Sequence, residues 1–131
     1  MRARVLLGLF LAAAAAAPAV AAPPAPEERI AKVLAERVAG LPTDCLIQRD
    51  IYSTEIVAQT AILYTMRDGT IYLNRPASGL PFLRRDLALV TDTHSDRLCS
   101  IDIVRLYDPV SRFESGSIGL GPFVPYRRPG R

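Results

Sequence analysis

The chain has 131 residues, half of them hydrophobic, with 16 basic side chains against 13 acidic ones and a calculated pI near 9.2. The basic excess nearly vanishes once the first 22 residues are set aside, because Arg2 and Arg4 lie there and 14 basic residues then face 13 acidic ones. A chain so balanced lacks the basic face of a nucleic-acid-binding domain, so no nucleic-acid partner is expected, and the length fits one domain.

Residues 1–22, MRARVLLGLFLAAAAAAPAVAA, begin with two arginines, continue through an apolar run from Val5 to Ala17 and end in small residues after Pro18. This is the anatomy of a secretory signal peptide. Ala19-Val20-Ala21 or Val20-Ala21-Ala22 supplies the small side chains that signal peptidase requires, so cleavage is expected after Ala21 or Ala22. The run is alanine-heavy and shorter than the roughly 20 apolar residues of a membrane span. No stable span is therefore expected after cleavage. No cysteine lies near the cleavage point to carry a lipid anchor, and the expected location is periplasmic or secreted.

Residues 23–42 read as a proline-rich lead-in followed by a helix. From Glu27 to Gly40 the apolar residues Ile30, Val33, Leu34 and Val38, then Leu41, recur at three- and four-residue spacing, with Glu28, Arg29, Lys32, Glu36 and Arg37 between them. That pattern predicts an amphipathic helix of three to four turns, packed by its apolar stripe on the rest of the domain. Glu27 and Glu28 suit its N-terminal dipole, and Gly40-Leu41-Pro42 is a stop signal.

From residue 43 to 126 the period becomes alternating and β-branched and aromatic residues grow frequent, which predicts a small β domain. Cys45-Leu46-Ile47 opens a strand running toward Tyr52, and Glu55 to Ala58 starts another. Ala61 to Met66 and Thr70 to Leu73 form a hairpin about Arg67-Asp68-Gly69, since the glycine tolerates the positive φ of the turn. Ala77 to Arg85 reads as loop, then Leu87 to Thr93, Ile101 to Tyr107 and Ser117 to Val124 as strands. The expected fold is mainly β, a small barrel or sandwich of about five to seven antiparallel strands with an N-terminal amphipathic helix. Residues 127–131 read as a basic tail, and Arg84-Arg85 as solvated surface.

The order Cys45-Leu-Ile, then ILYTMRDGTIYLN, then RLCSIDIVRLYD, then GSIGLGPFVPYRRP resembles small exported proteobacterial proteins grouped as a domain of unknown function. The resemblance spans most of the chain from Cys45 onward and implies export and a β fold. It departs where such proteins carry a further cysteine near Gly79-Leu80-Pro81 and a glycine in the place of Ile101. It implies no activity and no binding residue.

The two cysteines, Cys45 and Cys99, admit a disulfide, a catalytic thiol or a metal ligand. A nucleophilic thiol wants a partner histidine and a structural zinc about four ligands, but His94 is the only histidine. In an exported chain an even cysteine count favours a bridge, so a Cys45–Cys99 disulfide is expected.

Thr93-His94-Ser95-Asp96 contains the residue types of a hydrolytic triad, yet neighbours in one tight turn cannot reach opposite nitrogens of one imidazole. It reads as a polar turn. The glycines of Gly116-Ser117-Ile118-Gly119-Leu120-Gly121 lack the spacing of a dinucleotide loop and the ending of a nucleotide loop, and read as bends or bulges in a terminal strand. Asp102, between Ile101 and Ile103, is expected on a wet face.

No catalytic residue, cofactor or metal ligand is therefore assigned. The leading expectation is a non-enzymatic, disulfide-stapled module in the cell envelope, binding another envelope protein or cell-wall glycan. Phe82, Arg84 and Tyr126 are its candidate partner contacts, as an aromatic and cationic patch would be an anchor if exposed together. The rival is a small periplasmic hydrolase or isomerase built around His94.

Overall fold

The computed structural model describes residues 8–130. The first seven residues of the leader and the last residue of the basic tail lie outside the described residues. Residues 8–25 carry neither helix nor strand and are exposed throughout.

The one α-helix among the described residues, α1 (Pro26–Val33), is shorter than its periodicity predicts. Proline at its first position is preset for helical φ, and the Glu28 carboxylate turns back to accept from the Ala25 N–H at 3.2 Å. The helix ends because Leu34 caps it and Glu36 takes a positive φ of 63°. The chain then reverses into β1 (Val38–Ala39), so Val38 belongs to a strand and Gly40, instead of stopping a helix, donates its N–H to the Pro125 carbonyl at 2.8 Å.

Nine further strands follow: β2 (Cys45–Ile47), β3 (Ile51–Val57), β4 (Ala61–Met66), β5 (Ile71–Asn74), β6 (Ala88–Thr91), β7 (Arg97–Cys99), β8 (Ile103–Asp108), β9 (Phe113–Gly119) and β10 (Phe123–Arg127). All pairings are antiparallel. They form a five-stranded sheet in the order β1-β10-β5-β4-β3, a three-stranded sheet β6-β8-β9 and a two-stranded ribbon β2-β7. The sheets do not close into a barrel, and the architecture is sandwich-like. Segments too short to be predicted as strands, such as Val38–Ala39, raise the strand number above the expected five to seven. The segment from Ile51 to Val57 is one strand, entered through a short 3-10 turn at Gln48–Asp50.

The hairpin lies where its Asp-Gly signal places it. Gly69 has φ 89°, and the Asp68 carboxylate accepts from the Thr70 N–H at 2.9 Å, closing the turn on itself.

Strand β4 is buried on both faces, and its alternation sorts two cores. Ala61 and Leu63, with Val57, Ile71 and Leu73, face α1 and bury Ile30 and Leu34, so the helix stripe does pack on its own domain. Ile62, Tyr64 and Met66 face the other way, into a cluster with Leu46, Leu98, Val104, Leu106, Ile118 and Phe123. Tyr64 and Phe123 meet edge-on with ring centroids 5.6 Å apart, and burial raises the Tyr64 phenol well above its usual pKa. Two paired arginines hold the helix to the sheet: Arg29 to Glu55 at 2.7 Å and Arg75 to Glu27 at 2.9 Å.

Strand β8 has the opposite phase to that expected from Ile101-Asp102-Ile103. Ile101 and Ile103 are 89% and 66% exposed, while Val104 and Leu106 carry the core. Asp102 lies in the turn before the strand, half-buried, and its carboxylate accepts from the Cys99 N–H at 2.7 Å. It is a turn-closing group, because that N–H supplies a nearer donor than water.

Candidate functional site

The β2-β7 ribbon is closed by the Cys45–Cys99 disulfide, a cross-strand pair with Cα atoms 4.0 Å apart. Its middle residues, Leu46 and Leu98, are buried in the sheet-side core. Between the ribbon, the turn of the β4-β5 hairpin and strand β10 remains a basin of about 830 Å³. Leu41, Leu46, Ile47, Met66 and Pro125 supply its apolar lining, Tyr72 its one aromatic residue, and Arg67, Arg97 and Arg127 its positive charge. That volume is in the range of ligand-binding clefts.

Local structure explains how the three arginines converge. Arg67 begins the hairpin turn, where its backbone N–H donates to the Asp50 carbonyl and its Nε to the Arg49 carbonyl, both at 2.8 Å. Arg97 opens β7 opposite Ile47, a register that follows from Cys45 facing Cys99. Arg127 ends β10 opposite Val38, and its Nη2 donates to the Tyr72 hydroxyl at 3.5 Å. It is a strand residue and not part of a frayed tail.

A smaller cavity of about 470 Å³ adjoins the basin and is lined by Arg37, Gly69, Thr70 and Arg128, with Asp68 and Arg127 shared between the two. Arg37 is fixed by donating Nη1 to the carbonyls of Gly69 at 2.8 Å and Tyr126 at 3.3 Å. The acidic groups here are Asp50 and Asp68. The Asp68 carboxyl is held below its usual pKa, first by the Thr70 N–H and to a lesser degree by the positive charge of Arg127.

The five arginines Arg37, Arg67, Arg97, Arg127 and Arg128 form no ion pair among the described residues. Elsewhere Arg29, Arg75, Arg84 and Arg105 each hold a carboxylate. A guanidinium fork matches a carboxylate or phosphate with two parallel N–H bonds, which is the chemistry that Arg67, Arg97 and Arg127 bring to the basin beside the carboxylates of Asp50 and Asp68. The basin's described lining has no histidine or serine, Cys45 is committed to the disulfide, and the Thr43 hydroxyl donates to the Cys45 carbonyl at 3.5 Å.

The candidate contacts named from sequence line neither the basin nor the cavity beside it. Phe82, in a short 3-10 turn, stays half exposed and lays its ring against Gly116 of β9. Arg84, two residues on, pairs with Asp86 at 3.0 Å and lies 3.6 Å from Asp108. Tyr126 packs against the helix-side core, across the five-stranded sheet from the disulfide ribbon. His94 is exposed in its turn and lines none of the three cavities, while Thr93 accepts from Gln48 and donates to the Ser95 carbonyl at 2.9 Å.

The glycine-rich segment is explained by close approach. A Cβ on Gly121 would stand 2.4 Å from the Arg75 carbonyl oxygen, and a register shift beside Gly116 marks a bulge between β8 and β9. A third cavity, about 430 Å³ between Pro23, Pro24, α1 and β3, includes the Arg29–Glu55 pair, whose charges are already matched.

Arg67, Arg97 and Arg127 are the residues that sequence reasoning missed. The cysteine pairing and the hairpin signal together place Arg97 beside Ile47 and Arg67 at a turn, but nothing in the local pattern brings β10 to them. Among the described residues no group of three or more His, Cys, Asp or Glu is placed to hold a metal ion, and no helix is long and apolar enough to cross a membrane. No protein-family model, curated protein or solved structure matches this chain.

Proposed function

We propose that the protein is an exported, non-enzymatic binding module, stapled by its disulfide, that captures a ligand in the cell envelope with the basin between the β2-β7 ribbon and β10. The observation that carries this reading is the convergence of Arg67, Arg97 and Arg127, none of them ion-paired, on one ligand-sized cleft. A protein gains little from bringing like charges together unless a counter-charge arrives with a partner.

Export is supported by the leader pattern, by the exposure of Leu9, Phe10 and Leu11 away from both cores, and by a disulfide compatible with an oxidising compartment. The resemblance to small exported proteins points the same way.

The test is complementation of a strain lacking the gene, with each variant's melting temperature measured alongside. Arg97→Ala combined with Arg127→Ala should abolish the phenotype at unchanged melting temperature, and His94→Ala should restore it fully. Loss of function from His94→Ala in a normally folded protein defeats the binding module and promotes the hydrolase or isomerase.

A further inference from the structure

Resting on the binding-module reading, we infer that the occupant of the basin is an acidic peptide segment, a run in which carboxylate side chains alternate with aliphatic ones. Charge and shape together choose this class. The guanidinium groups of Arg67, Arg97 and Arg127 lie around a lining supplied by Leu41, Leu46, Ile47, Met66 and Pro125, so a ligand must present anionic and apolar groups to the same cleft. Leu41 is 89% exposed, an aliphatic side chain held at the rim with nothing of its own chain over it. Arg37 and Arg128 in the adjoining cavity extend the positive surface past Arg127.

The opposing charges are accounted for. Asp68 is engaged with the Thr70 N–H of its own turn, and Asp50 lies 4.0 Å from Arg49. The charge of Arg127 is felt at Asp68, but among the described residues neither carboxylate forms an ion pair with Arg97 or Arg127. Free phosphate would use the arginines and leave the aliphatic lining wet. A uronic-acid glycan would also use the arginines, but its ring faces and hydroxyl groups are served by aromatic platforms and by Asn or Gln, and here Tyr72 is the one aromatic residue and no amide side chain lines the basin. An extended peptide alternates its side chains, which suits a cleft bounded by strands.

The experiment uses the oxidised mature chain and fluorescence anisotropy with three labelled probes: a Leu-Glu-Leu-Asp-Leu-Glu peptide, its Leu-Gln-Leu-Asn-Leu-Gln counterpart and an oligogalacturonate. The acidic peptide should bind, more weakly as salt rises, and the amide peptide should bind at least about tenfold less tightly, the loss of roughly one charge-assisted contact. Arg97→Ala with Arg127→Ala should weaken the acidic peptide by the same order, and Arg127→Lys should recover only part, because an ammonium cannot make the paired bonds of the fork. Arg112→Ala, an exposed arginine outside the basin, should bind like the wild type.

Equal binding of the two peptides, or binding indifferent to the basin variants, overturns the carboxylate assignment. Binding of the oligogalacturonate in place of the acidic peptide overturns the peptide and leaves the binding module standing. No binding of any probe, joined to normal complementation by the basin variants, removes both readings.

Discussion

Asn74 is wholly buried, 0% exposed, and uses both ends of its amide on one neighbour: Nδ2 donates to the Gly121 carbonyl at 2.6 Å and Oδ1 accepts from the Gly121 N–H at 3.1 Å. It thereby holds the turn into β10, and β10 carries Arg127 to the basin. Replacing it by alanine leaves a buried donor and acceptor without partners, each costing about 1–3 kcal/mol. Asn74→Ala should therefore lower stability by several kcal/mol in urea unfolding. Gly121→Ala should cost about 1–3 kcal/mol, because its Cβ would be forced against the Arg75 carbonyl. A loss under 0.5 kcal/mol for Asn74→Ala would show that water replaces the amide.

At the scale of elements, the β2-β7 ribbon has three residues per strand and pairs with nothing else. Such a ribbon is marginal alone, so its place depends on the burial of Leu46 and Leu98 and on the disulfide. Removing both cysteines together, as Cys45→Ser with Cys99→Ser, releases a loop spanning a sequence separation of 54 and should cost about 4 kcal/mol. Because the ribbon forms one wall of the basin, ligand affinity should fall with it. Peptide mapping without reductant checks the linkage, and two freely alkylated thiols in native protein would overturn it.

The hairpin turn titrates. Hydrogen bonding to the Thr70 N–H favours the ionised Asp68 carboxylate in the folded state, so its pKa lies below the unfolded value of about 3.9. A depressed folded pKa contributes stability that is fully present above the unfolded value and is lost as pH falls through the folded one. The hairpin should loosen below about pH 4, and Asp68→Asn should flatten that acid limb. Chemical denaturation from pH 7 down to pH 2 would read the difference, and identical slopes for both proteins would refute it.

Over the whole molecule, the nearly balanced charge of residues 23–131 is unevenly spread. Its acidic residues are largely spent on structure: Glu27 and Glu55 clamp the helix, Asp86 and Asp108 hold Arg84, Glu114 takes Arg105, and Asp102 closes the turn after the disulfide. Of the arginines left over, Arg67, Arg97 and Arg127 line one basin and Arg37 and Arg128 the cavity beside it, while Arg85 and Arg112 lie elsewhere. The proposed export belongs to this scale too, since residues 8–22 are exposed and join neither core. Intact-mass spectrometry of envelope extracts should find a mature N-terminus at Ala22 or Pro23. Full-length protein starting at Met1 in the cytoplasm would contradict it.

What the amino-acid order determined by itself was local: the mainly β character, the turn at Asp68-Gly69, the apolar stripe of Ile30 and Leu34, and, given the expected export, the cysteine pair. These follow from backbone preferences and periodicity acting over a few residues. The length of the helix was not among them, because the conformation at Glu36 and the pairing of Val38 with Arg127 turn a helical pattern into a strand. The phase of β8 was not either. Ile101 and Ile103 are as apolar as Val104 and Leu106, so only packing against the five-stranded sheet decided which pair went inside. The basin was out of reach for the same reason. Arg67, Arg97 and Arg127 are separated by at least 30 positions, and each looks like an ordinary solvated charge until a hairpin, a disulfide ribbon and the last strand are brought together. Long-range pairing decides which charges become neighbours, and one-dimensional spacing carries no record of it.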